Sequence, residues 1–135
     1  MTWDELRRFA ADPLVTIGAH TAGHHSLNRL TEAELMTEVD DARRELDARL
    51  GCQVRHFAFP FGGPDAVGDR EVALARRTGF TTMLTTRAGN LTPVDAARLD
   101  RLPRITLSGN YPILKALRMA ESGFTAWREK RRFET

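Results

Sequence analysis

Four short runs rich in β-branched and aromatic residues alternate along the chain with segments of helical periodicity, and this alternation constrains the fold more than any single residue. Leu14-Val15-Thr16-Ile17, stopped by Gly18, is a compact run suited to a buried strand. His56 to Phe59 predicts a second, Phe80 to Thr86 a third and Arg104 to Leu107 a fourth. Between them, Thr31 and Glu34 have capping-box spacing. Leu35, Val39, Ala42, Leu46 and Leu50 then follow on one helix face, which predicts a helix over 31–50 closed by Gly51. Thr2 and Glu5 repeat the capping pattern, so residues 2–11 read as a short helix stopped by Asp12-Pro13. Further helices are expected over 69–78, 111–121 and 124–132, with a surface loop over 87–100. Strands that alternate with helices pair in parallel, so the fold class is α/β, with ligand groups at the C-terminal ends of the strands.

At 135 residues, with no internal repeat and no flexible linker, the chain reads as one domain, 1–135. A net charge of +2 gives no ground for a nucleic-acid or membrane partner, and the basic run Arg128 to Arg132 reads as a solvated helix end. The single cysteine, Cys52, excludes an internal disulfide and a cysteine zinc cluster. No apolar run is long enough to span a bilayer, and Met1 to Ala11 is charged where a signal peptide would be apolar. The chain as given is therefore expected in the cytoplasm, with secretion of a longer parent left open.

Gly18-Ala19-His20-Thr21-Ala22-Gly23-His24-His25 follows the first predicted strand directly and holds three of the four histidines. A strand-end loop can bring His20 and His24 to one cation. On the spacing alone, two hydrogen-bonded surface or cap residues are the commoner outcome, and a metal site the rarer one.

Ile17-Gly18-Ala19-His20-Thr21-Ala22-Gly23-His24, followed by Leu27 and Leu30, resembles the His-Ser/Thr-x-x-His motif of the polysaccharide deacetylases, carbohydrate esterase family four. Phe57-Ala58-Phe59-Pro60-Phe61-Gly62-Gly63 is similar to that family's groove-wall motif. The resemblance implies an incomplete (β/α) barrel of the deacetylase type, lacking its N-terminal strands. It also implies His20 and His24 as metal ligands and Thr21 as the loop's support. Phe61 would donate its backbone N–H to an oxyanion, with Pro60 in the groove wall. Arg101-Leu102-Pro103-Arg104-Ile105 also looks like the family's closing part, which would turn Arg104 toward the substrate groove; a strand-edge arginine paired with an acid is an equal alternative. The implied cofactor is a divalent metal, zinc first, with cobalt or nickel also suited to two imidazoles. The implied substrate is an N-acetylated glycan whose acetyl group is hydrolysed. His25 stands where the family has proline and is given no metal role.

The family's Asp-Asp pair, source of its base and third ligand, has no counterpart here; Asp4 lies in the predicted first helix and does not match. Nor does a Leu-x-His follow, since His56 is the last histidine. Metal should accordingly be held weakly, because catalytic zinc takes three protein ligands. The absent strands should leave a sheet edge bare, which predicts self-association or a separate N-terminal piece. A non-catalytic carbohydrate-binding or assembly module, and an α/β domain with a merely hydrogen-bonded histidine cluster, stand as alternatives.

Overall fold

The structure, a computed structural model, describes residues 1–105 and 113–124. Within these, helices α1 (Trp3–Ala10), α2 (Glu32–Met36), α3 (Ala42–Leu50), α4 (Asp69–Arg77) and α5 (Ile113–Glu121) alternate with strands β1 (His56–Ala58), β2 (Thr82–Ala88) and β3 (Leu102–Arg104). The strands form one open parallel sheet in the order β1-β2-β3, an incomplete barrel of the expected α/β class.

Both capping boxes form. The Thr2 N–H donates to Glu5 Oε2 at 2.6 Å, and the Thr31 N–H to Glu34 Oε2 at 2.8 Å. Each cap contributes about 1 kcal/mol by satisfying N–H groups that the first turn leaves without partners. The Thr31 hydroxyl and N–H also hold the Glu34 carboxyl below its ordinary value. The helix expected over 31–50 follows one path but is interrupted by a π-helical turn, Thr37–Asp41, between α2 and α3. There the Ala42 N–H turns to the Val39 carbonyl, and the Glu38 carbonyl accepts from Ala22 N–H, outside the helix. Gly51 closes α3 in the left-handed conformation at φ 68°.

The core forms on one face of the sheet. Phe57 and Phe59, two residues apart and therefore on the same side of the chain, are buried with Met83, Leu35, Val39, Leu27, Val72 and Ala75. Phe57 meets Phe59 edge-on and stacks on Phe80, each at 5.0 Å between ring centroids. The opposite face is less covered: His56, Ala58, Leu84 and Leu102 are all partly exposed. Parallel sheets ordinarily have both faces covered, so this chain presents half of such an arrangement.

Three expectations need correction. Residues 14–17 do not form a strand. Ala19 makes one parallel bridge to Phe57, a register that sets 14–17 opposite 52–55, before β1 begins, so no extended partner is available. Leu14 is 93% exposed rather than buried. The third strand begins and ends two residues later than expected, and continues into the stretch read as loop. The fourth begins at Leu102 and not Arg104; Pro103 fits there because β3 is an edge, where a missing N–H costs no ladder bond. Residues 106–107 and the helix expected over 124–132, beyond Phe124, lie outside the described residues.

Candidate metal centre and groove

Ala19 is tied to β1 on both sides, its N–H donating to the His56 carbonyl at 2.8 Å and its carbonyl accepting from Ala58 N–H at 3.0 Å. The next residue, His20, therefore leaves the sheet at its C-terminal edge. Its Nδ1 lies 2.7 Å from the Ala58 carbonyl. A carbonyl can only accept, so the ring proton belongs on Nδ1 and the Nε2 lone pair is left for a ligand. This is the second-sphere arrangement that fixes a metal-binding imidazole.

The chain then turns sharply. Thr21 at φ 65° and His24 at φ 56° both adopt the left-handed conformation, which costs an L-residue roughly 1–2 kcal/mol. The Thr21 hydroxyl accepts from the His24 N–H at 3.0 Å and so spans the turn. In consequence the two imidazoles lie edge to face with centroids 4.8 Å apart. Rings sharing a tetrahedral zinc through bonds of about 2.1 Å would have centroids about 5 Å apart, a separation that this pair also has. Among the described residues no group of three His, Cys, Asp or Glu side chains converges as a metal site would require, at this pair or elsewhere.

Phe61 enters from the other side. It too is left-handed, at φ 60°, and its ring meets the His24 ring edge-on at 5.1 Å. Its turn is fixed to the neighbouring strand: the Thr86 hydroxyl donates to the Phe61 carbonyl at 2.6 Å and the Thr86 N–H to the Gly62 carbonyl at 2.9 Å. Pro60 is fully buried beneath it. Among the described residues the Phe61 N–H has no acceptor. Among the described residues three non-glycine residues have positive φ, and all three are in this cluster, the kind of concentrated strain that marks a candidate site.

Arg104 is exposed at the C-terminal end of β3, on the same edge of the sheet as His20 but two strands away from β1. Its side chain forms no hydrogen bond or ion pair among the described residues. His25 turns away from the pair, with its Nδ1 3.1 Å from Glu38 Oε1. Burial raises the Glu38 carboxyl, but its bonds from the Gly23 N–H and His25 outweigh this and leave it below its ordinary value. Neither Glu38 nor Thr86 was marked by the sequence. Glu38 sits in a helix whose pattern names only the apolar face, and Thr86 in a strand where threonine is ordinary.

The sequence model of the polysaccharide deacetylase family matches residues 1–83. No curated protein matches the chain. Among solved structures, the Streptococcus pyogenes deacetylase PplD, in complex with acetate, shares 23% identity at a TM-score of 0.77, over 87% of this chain and 50% of its own. IcaB from Ammonifex degensii shares 22% at 0.71, over 89% and 52%. A polysaccharide deacetylase from Bacillus cereus shares 19% at 0.77, over 89% and 36%. These likenesses show the fold, and the chain spans about half or less of each of those structures.

Proposed function

The chain belongs to the polysaccharide deacetylase family, and on that membership we propose that it carries the histidine and groove-wall part of a site that hydrolyses N-acetyl groups on a glycan. The observation that supports this best is the meeting of His20, His24 and Phe61 at one end of the sheet, beside a backbone N–H that has no acceptor among the described residues. His20 and His24 would hold a divalent cation, zinc first and cobalt or nickel as substitutes, and hold it weakly because no third donor joins them among the described residues. Such a cation supplies charge to polarise the acetyl carbonyl.

The chain's own residues do the rest. The Phe61 N–H donates to the carbonyl oxygen as it becomes anionic, and the Thr86 bonds hold that donor still, which is what makes it effective. Thr21 keeps His24 turned toward His20. Buried Pro60 stiffens the groove wall, and Arg104 lies where an extended sugar chain could reach it. The reaction also calls for a general base to take the water's proton, a part that the family resemblance gives to an aspartate pair.

The test is acetate release from an N-acetylglucosamine oligomer with zinc or cobalt. It should be run on the chain alone and on a form extended at its N-terminus by a strand bearing an aspartate pair. We expect release from the extended form and little from the chain alone; no release from the extended form would sink the reading. One observation favours a second reading, a glycan-binding or assembly module: no third ligand joins the histidines among the described residues. That reading predicts glycan binding without acetate release from either form.

The single covered sheet face, with Leu14 exposed and Val15 and Ile17 half-buried at its edge, also supports association with a second copy or a separate N-terminal piece. Gel filtration should show a species larger than a monomer, and a clean folded monomer would count against it. No helix among the described residues is long and apolar enough to cross a membrane.

A further inference from the structure

The segment between the two histidines is fastened almost entirely to one residue. Glu38 accepts the Ala22 N–H on its backbone carbonyl at 3.1 Å and the Gly23 N–H on Oε2 at 2.8 Å, and it meets His25 Nδ1 with Oε1 at 3.1 Å. Its backbone faces the loop from the π-helical turn, whose altered bonding directs the carbonyl outward. Its side chain is only 14% exposed and reaches the loop from the core side. The loop it holds has left-handed backbone at Thr21 and His24, a shape these residues do not favour on their own. Gly23 belongs to the same fit, because a Cβ there would lie 2.6 Å from the His25 ring and 3.0 Å from Glu38 Oε1.

We infer that Glu38 is a positioning residue for the His20–His24 pair, holding the loop from the π-helical turn so that both imidazoles meet one cation. The inference rests on the metal reading above. Glu38 touches no ligand atom and acts through the backbone of residues 22 and 23 and through His25. An oriented, already-bent loop binds a cation without first being ordered, so removing the anchor should cost affinity on the scale of an outer-sphere partner.

The test is titration of zinc chloride into the full chain, followed through the imidazole NMR signals of His20 and His24, together with thermal unfolding of each variant. Glu38→Ala should weaken zinc binding roughly 10- to 100-fold. Glu38→Gln should stay within a few-fold of the parent chain, because its amide oxygen can still accept from Gly23 and its amide nitrogen can donate to His25. Glu38→Asp keeps the charge but is one methylene short, and should fall between them. If Glu38→Ala does not fold, the ordering of Gln above Asp decides the matter, since a general field effect would reverse it. Unchanged zinc affinity in Glu38→Ala, with His20→Ala abolishing it, would overturn this inference alone. If His20→Ala leaves binding intact, the metal reading falls and this inference with it.

Discussion

Zinc titrated into the His20→Ala chain should bind at least about 100-fold more weakly than to the parent chain, a loss of about 2.8 kcal/mol. Losing a ligand cannot cost less than losing an outer-sphere partner, and on the proposed reading two imidazoles share the cation with no third side chain beside them among the described residues. His24→Ala should behave alike. His56→Gln is the control: its Nδ1 is engaged by the Thr82 hydroxyl at 2.6 Å, at the start of β1, and the change should leave zinc affinity unaltered. Calorimetry or NMR titration reads all three. Equal affinity in the His20 and His56 variants would remove the cation from the account of this loop.

Gly62→Ala should destabilise the chain by about 3 kcal/mol or more, against about 1 kcal/mol for Gly51→Ala. Both glycines are left-handed, at φ 56° and 68°, so both substitutions bear the same conformational penalty. They differ in surroundings. A Cβ on Gly62 would lie 2.6 Å from the Thr86 backbone nitrogen, a contact that cannot be relieved without breaking the bond from that nitrogen to the Gly62 carbonyl. A Cβ on Gly51 meets nothing within 4 Å. Urea unfolding midpoints at unchanged slope give the comparison, and equal losses would mean that the turn is not held against β2 as described.

The sequence made the architecture readable because its signals were local. Thr31 with Glu34, Gly51 after the last apolar position, and Phe57 alternating with Phe59 each fix an element from within a few residues, and each is found in place. The run at 14–17 misled because β-branched composition records a preference, whereas a strand exists only where a partner strand lies alongside; the register through Ala19 gives residues 14–17 none. The clustering of histidines after Ile17 was equally visible, but the bend that turns two of the rings together was not. That bend depends on Thr21 and His24 in a backbone region whose occupancy no side-chain pattern announces, and on Glu38 from a helix fourteen residues beyond His24. The Phe61 N–H was marked by the family resemblance alone; that it has no acceptor among the described residues depends on the turn that Thr86 fixes, which no local pattern records.

The cluster is carried on two separate footings. Residues 21–25 hang from the π-helical turn, whereas residues 60–63 are braced by β2, and among the described residues no hydrogen bond crosses from one to the other. What joins them is the side-on touch of the His24 and Phe61 rings. Substitutions around the two histidines can thus be made without disturbing the Phe61 turn, and damage to one half should leave the other half's shape intact.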